Sequence, residues 1–168
     1  MEFQEAKKQF VQTWGTLGSE WGINRTMAQV HALLLISTKP LTTEEVMDQL
    51  SISRGNANMN LRDLVTWDLL RKVIVPGDRK EYFEAEKDIW EIAKRVVRER
   101  KRREIAPARR ILDQLTQIDN EKGNPDTEAF VKMVTELNSF VGKMDKTVDL
   151  MLKADENWFF GTLLKTFK

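Results

Sequence analysis

The stretch that decides the fold is SISRGNANMNLRDLVTWDLL, residues 51–70. Ala57, Leu61 and Leu64 recur in it at helical spacing and predict the buried side of a helix, with Ser53 as its N-cap. Its first turns are nevertheless rich in glycine and asparagine, which are poor helix formers. A polar face that is kept at this cost predicts contact with something other than water.

The segments on either side predict a helix-turn-helix followed by a wing. TTEEVMDQL, residues 42–50, suits a short helix that is capped by a threonine and faces inward through Val46 and Leu50. The β-branched run at residues 73–75, the turn signal PGDR and the return at Tyr82–Phe83 predict a β-hairpin. We therefore expect a mainly α fold, a winged helix-turn-helix with one small hairpin.

The start of the second helix in a helix-turn-helix meets base edges in the major groove of DNA. Arginine can form two hydrogen bonds with guanine and asparagine two with adenine, and a glycine lets the backbone approach closely. The predicted base-contacting set comprises Ser53, Arg54, Gly55, Asn56, Asn58, Met59 and Arg62. The predicted wing and phosphate contacts are Thr42, Thr43, Lys72, Arg79 and Lys80.

The sequence LSISRGNANMNLRDLVTWDLLRKV, followed by VPGDRKEYFEAE, resembles winged-helix regulators of the MarR type. Within that type it is most similar to the subgroup of the GbsR regulator of glycine betaine synthesis. The resemblance covers about residues 10–95 and is most specific in SRGNANMNLRDL. It implies a DNA-binding transcriptional regulator that forms a dimer through its N- and C-terminal helices, and it does not identify an effector.

Helices are predicted on both sides of this region. One covers roughly residues 2–21 and ends at Gly22, with an apolar side made of Phe3, Phe10, Trp14, Leu17 and Trp21. A second, apolar on most sides and therefore central, covers about residues 25–37. Asp88 is predicted to cap a long helix that Pro107 kinks or interrupts. Asp126 or Thr127 is predicted to begin the last helix, after a loop.

The last helix carries apolar residues at alternating spacings of four and three, which is a heptad pattern typical of helix association. Together with the N-terminal helix it predicts a dimer interface made of Phe10, Trp14, Phe130, Val134, Leu137, Val141, Met144 and Val148. The apolar tail ENWFFGTLLKTF should pack against a neighbour. The domain prediction is a dimerisation helix at residues 1–24, a winged helix at 25–88 and a helical dimerisation region at 89–168.

Composition limits the other classes of function. The chain of 168 residues has no cysteine and one histidine, so no cofactor or metal is predicted and nucleophilic catalysis is not expected. The absence of cysteine fits a reducing cytoplasm, and the sequence shows neither a signal-peptide core nor an apolar run long enough for a membrane span. We expect a cytoplasmic protein that is not an enzyme.

Two further features keep alternative interpretations open. Residues 94–110 hold nine basic and two acidic side chains, which could contact phosphates or form a solvated helix surface. Trp14, Trp21 and Trp90 could line an effector pocket for a quaternary ammonium ion, although core and interface packing is the simpler interpretation. His31 is expected to be a partly buried, hydrogen-bonded group.

The function predicted is sequence-specific binding of double-stranded DNA by a homodimer, acting as a repressor at a pseudo-palindromic operator and responding to an effector. The rival is a winged-helix protein-interaction module with a coiled-coil assembly helix. Polar residues such as Asn58 and Arg62 favour DNA, because a protein-binding surface would carry apolar anchors there. Met59 alone points towards the rival.

Overall fold

The computed structural model describes residues 1–118 and 124–154, and the chain divides into two compact units, Met1–Arg95 and Val96–Lys168. The aromatic tail of the sequence lies outside the described residues. Over the described ranges, no helix is both long enough and apolar enough to cross a lipid bilayer.

The first unit is a winged helix, as predicted. Three strands form an antiparallel sheet in the order β1, β3, β2, in which Leu41 pairs with Phe83 and Lys72 also pairs with Phe83. The elements in chain order are α1 (Phe3–Glu20), α2 (Arg25–Leu35), β1 (Leu41–Thr42), α3 (Thr43–Leu50), α4 (Arg54–Thr66), β2 (Leu70–Val73), β3 (Tyr82–Ala85) and α5 (Ile89–Arg100). The strand β1 was not predicted, because two residues form a strand only through their pairing with β3.

The core of this unit surrounds α2, which is buried on most of its sides, as expected. Its neighbours contribute Val46 from α3, Phe83 from β3 and the predicted inward side of α4, namely Ala57, Leu61 and Leu64. Removing these apolar side chains from water is the main source of stability for such a domain.

The inward side of α1 differs from the prediction. Val11, Gly15 and Gly18 are buried, whereas Phe3 and Trp21 are largely exposed. A Cβ atom on Gly18 would lie 2.5 Å from Cβ of Ala28 on α2, so the two helices approach too closely for larger side chains. These glycines therefore serve close packing of the two helices. Gly22 has a φ of 74°, in the left-handed region suited to the end of a helix.

The end of α2 is held by a lysine that the sequence did not single out. Nζ of Lys87 donates to the backbone carbonyls of Leu34, Leu35 and Ser37 at 2.6–2.9 Å. Carbonyls at the end of a helix lack the usual intrahelical partners, and the Leu34 carbonyl also accepts from the backbone N–H of Ser37. A cation at this end also suits the helix dipole. Burial lowers the pKa of Lys87 below its ordinary value. The link between β3 and α5 is thereby fixed to the central helix.

The first strand of the hairpin begins and ends earlier in the sequence than predicted. The strand β2 ends at Val73, and Ile74 is 90% exposed. The turn is organised by Asp78, whose carboxylate accepts hydrogen bonds from the backbone N–H of Lys80 and from the hydroxyl of Tyr82. These two bonds lower the pKa of Asp78, and the bond from Tyr82 raises the pKa of that phenol. Gly77 has a φ of 84°, which a side chain would strain.

The second unit is built from helices. A π-helical segment (Lys101–Ile105) follows α5, then α6 (Ala106–Leu115) and α7 (Pro125–Lys153). The interruption lies where Pro107 was expected to cause one. The last helix begins slightly earlier than predicted: Asn124 is its N-cap and Pro125 its first residue, a position where the missing N–H of proline costs nothing.

Candidate nucleic-acid interface

The helix-turn-helix is set by two local caps. The hydroxyl of Thr42 accepts from the backbone N–H of Glu45, and the Glu45 carboxylate accepts from the N–H of Thr42, which completes a capping box. The hydroxyl of Ser53 accepts from the N–H of Asn56 and starts α4. Both caps follow the sequence prediction, because capping depends on residues within one turn.

The structure places four of the predicted base-contacting residues on one open face of α4. Arg54, Gly55 and Arg62 are exposed, and Met59 is 54% exposed. No atom lies within 4 Å of where a Cβ on Gly55 would stand, so the backbone is accessible there. Asn58 lies on the same face and is half-buried, with its Oδ1 3.4 Å from the hydroxyl of Thr43.

Asn56 and Asn60 are hydrogen-bonded to each other and do not belong to the open face. Asn60 is 1% exposed, and its Nδ2 donates to the carbonyl of Asn56 at 2.8 Å and to the side-chain Oδ1 of Asn56 at 2.7 Å. A buried amide without a partner would be costly, so Asn56 satisfies Asn60. The asparagines of this stretch therefore divide into an internal pair and one, Asn58, beside the open face.

The threonines at the start of α3 are also internal. Thr42 and Thr43 are both buried, and their hydroxyls serve the capping box and the contact with Asn58. We had expected these hydroxyls to face phosphates. Their burial assigns them instead to positioning α3 and α4, because a hydroxyl beneath the surface cannot reach a phosphate without rearrangement.

The tip of the hairpin presents exposed cations. Arg79 and Lys80 follow Gly77 at the turn, and Lys72 on β2 forms an ion pair with Glu81. Arg71 and Glu84 form a cross-strand pair, which holds the base of the hairpin. The open face of α4 and the tip of the hairpin thus carry cations on the same unit.

One acidic residue lies at this surface and was not identified from the sequence as functional. Oε1 of Glu44, in the first turn of α3, accepts from Nη2 of Arg54 at 2.8 Å. The pKa of Glu44 is lowered by a hydrogen bond with its own backbone N–H, and also by Arg54 and Lys80. An acidic first turn is ordinary helix chemistry, so the sequence gave no sign of this contact across the turn.

The basic run at residues 94–110 is largely paired within the protein. Glu99 is buried and accepts from Arg102 and Arg103. Further partners are Glu91 for Lys94, Asp68 and Glu86 for Arg95, Glu104 for Arg100, Asp145 and Asp149 for Lys101, and Asp145 for Arg109. These ion pairs favour the interpretation of the run as a structural surface, since charges paired in this way are less available to phosphates.

The three tryptophans have different environments. The ring of Trp14 stacks on Phe10 with centroids 5.7 Å apart and lies 6.5 Å from the ring of His31. Trp21 is two-thirds exposed, and Trp90 is half-buried. His31 is buried as expected, but its Nε2 has no hydrogen-bond partner among the described residues.

The heptad residues of α7 also divide into two groups. Val134 is buried, and Val141 and Val148 are half-buried on the side that also carries Asn138 and Asp145, which bond to α6. A second set, Phe130, Met133, Leu137, Phe140 and Met144, is 43–60% exposed and repeats at spacings of three and four. We call these five residues the exposed stripe of α7. It shares three residues with the predicted dimer interface.

Comparisons with known proteins agree with this architecture. The model of the MarR family matches residues 21–81, from the end of α1 to the hairpin turn. A curated protein of Bacillus subtilis (strain 168), named as the HTH-type transcriptional regulator YvaV, is 22% identical over 88 residues. The matched region covers 52% of this chain and 50% of the relative, so the chain spans about half the length of that protein.

A solved structure described as that of a transcriptional regulator superposes with a TM-score of 0.66 at 19% identity. It covers 88% of this chain and 95% of the other chain. At this identity the likeness concerns the fold, and it agrees with the winged-helix architecture. The family match lies on the helix-turn-helix and the first part of the hairpin.

Proposed function

We propose that this protein is a MarR-type transcriptional regulator that binds double-stranded DNA through α4 and the hairpin. The observation that carries the proposal is the open face of α4, where Arg54, Gly55, Met59 and Arg62 are exposed beside Asn58, together with the exposed cations of Arg79 and Lys80. The residues of α4 would contact base edges and those of the wing would contact phosphates.

The finer proposal is a homodimer that represses transcription at a pseudo-palindromic site. The exposed stripe of α7 supports it, since apolar residues that repeat every three and four positions are typical of helix association. We also propose that Phe10 and Trp14 of α1 take part in dimerisation. A dimer would place its two copies of α4 in successive major grooves, about 34 Å apart.

We also propose that the protein belongs to the subgroup of the GbsR regulator and that it lies in the cytoplasm. We propose further that it responds to a small-molecule effector. The motif SRGNANMNLRDL supports the subgroup, and the stack of Trp14 on Phe10 supports an aromatic site for a cation on this helix. The role of the protein would be binding, without catalysis.

A titration with labelled duplex DNA of mixed sequence tests the proposal. The logarithm of the binding constant should fall linearly with that of the salt concentration, because phosphate contacts release counterions. The double variant R79A/K80A should reduce the slope by about two for each bound protomer and weaken binding to all sequences alike. The variant K143A/K146A, with the same loss of charge on α7, should keep the slope. Binding that is independent of salt would contradict the proposal.

The alternative function, a protein-interaction module, rests on Met59. This methionine is 54% exposed on the same face and could anchor a partner protein. Under that function the variant Met59→Ala would abolish partner binding while DNA binding would be absent in the wild type. Under the proposed function the same variant should bind DNA of mixed sequence nearly as well as the wild type.

A further inference from the structure

Glu44 lies where the predicted base-contacting and phosphate-contacting groups converge. Its carboxylate pairs with Arg54, and the charge of Lys80 at the tip of the wing also lowers its pKa. Glu44 and Lys80 line the same open cleft of about 470 Å³ between α3 and the hairpin. No other acidic side chain in the described ranges forms an ion pair with a residue of the predicted base-contacting set.

The pair formed by Glu44 and Arg54 contributes little to folding. The two side chains are 44% and 62% exposed, and ion pairs in contact with water gain little free energy. Glu44 is also outside the capping box of α3, in which Thr42 and Glu45 are the partners. The capping box is therefore complete without this carboxylate, which repels any phosphate that approaches this surface.

In this structure the pair gives the guanidinium group one defined orientation. Arginine has five N–H donors in a rigid plane, and only Nη2 of Arg54 is bonded to Glu44. The remaining donors can form the two parallel hydrogen bonds that recognise O6 and N7 of guanine. A guanidinium group that is held in this way reads a base edge, whereas a free one can turn to the nearest phosphate.

We propose that Glu44 is a specificity-determining residue that holds Arg54 in position for a guanine and penalises binding to phosphates alone. This inference rests on the proposed function. It adds an acidic residue that lowers affinity for DNA in general and raises discrimination between base sequences. Glu44 is a positioning residue with respect to the base, because it acts through Arg54.

The test uses the full-length protein, a duplex that it selects from a random pool, single-base variants of that duplex and DNA of mixed sequence. The variant Glu44→Gln should bind mixed-sequence DNA more tightly and increase the salt slope by about one for each bound protomer, since Arg54 becomes free to contact a phosphate. Its discrimination at one base pair of the site should fall by about 5- to 100-fold. Glu44→Asp keeps the charge but shortens the side chain, so it should lose discrimination without the gain in general affinity.

The matched control is Asp48→Asn, which removes one negative charge from the same helix and the same cleft. It should retain discrimination at every position. In an Arg54→Ala background, Glu44→Gln should cause no further loss of discrimination, because the residue that it positions is gone.

The outcomes separate this inference from the proposed function. If the wild type selects no sequence, both are overturned. If the wild type selects a site and Glu44→Gln behaves as Asp48→Asn does, only the role of Glu44 is overturned. An effect of Glu44→Gln on discrimination that persists without Arg54 would also contradict it.

Discussion

The two units of this chain are stabilised in different ways. The first, Met1–Arg95, has a continuous apolar core around α2, with side chains such as Val30, Leu61 and Phe83 fully buried. In the described part of the second unit, the buried apolar side chains are Val134 and Ala154, and ion pairs such as Lys101 with Asp145 join its elements. The first unit builds an apolar core of its own, although single residues such as Phe3, Trp21 and Ile74 stay exposed, whereas the second leaves a stripe of large apolar residues exposed along one helix.

This difference suggests that the two units have different functions. A self-sufficient core can hold the polar face of α4 and the hairpin in a fixed geometry, as a surface that reads DNA requires. An apolar stripe on a long helix calls for a partner, and we propose a second copy of the chain. The predictions below test each side of this comparison.

The largest expected effect concerns the exposed stripe of α7. Replacing Leu137 and Phe140 with aspartate puts charges into the proposed interface, which costs several kcal/mol if it is buried between chains. The dimer should dissociate, and affinity for a two-fold site should fall by about 100-fold or more because simultaneous binding of both half-sites is lost. Light scattering and a DNA titration measure the two effects.

The control for this prediction is the pair Thr135→Asp and Ser139→Asp, which adds the same charge to the exposed opposite side of α7. This variant should stay dimeric. If the variant of Leu137 and Phe140 also stays dimeric and binds normally, the stripe lies outside the interface.

The next effect is a pH dependence of the first unit. Burial, and then the charge of Lys87, lower the pKa of His31 from 6.5 to about 4, so the folded state holds this imidazole neutral. Between pH 6.5 and pH 4, His31 is protonated in the unfolded chain more than in the folded one. The free energy of unfolding must therefore fall as the pH falls. The loss from pH 7 to pH 4 should be up to about 3 kcal/mol.

Chemical denaturation at several pH values measures this effect. The variant His31→Leu removes the titrating group and should show a correspondingly smaller loss between pH 7 and pH 4. Equal pH dependence in the two proteins would contradict the account of His31 as a buried neutral group.

A smaller effect on stability is expected when one glycine in each unit is replaced with alanine. Gly18→Ala places a Cβ 2.5 Å from Ala28 and should destabilise the first unit by about 1–3 kcal/mol, because α1 must move away from α2. Gly142→Ala on α7 meets no described atom within 4 Å and should stabilise that helix by about 1 kcal/mol. Thermal unfolding distinguishes them, and two changes of the same sign would contradict the contrast.

The sequence predicted the parts of this structure that depend on local chemistry. The caps by Thr42, Ser53 and Asp88 and the inward side of α4 each follow from residues within one or two turns. The prediction of the inward side of α1 was wrong. A count of large apolar residues misses a helix face made of glycines that fit against α2. The contact between Glu44 and Arg54 joins residues ten apart across a turn, so only the folded chain shows it.

The measurement that tests the central claim most directly is selection of duplex fragments from a random pool by the full-length protein, by R79A/K80A and by Arg62→Ala. Arg62 is exposed on the open face of α4, so it should read one base pair in each half of the selected site. The wild type should enrich a motif with two inverted halves, R79A/K80A should recover the same motif with lower yield, and Arg62→Ala should lose preference at one position per half. No enrichment, or a motif that changes with the wing and not with Arg62, would contradict the account.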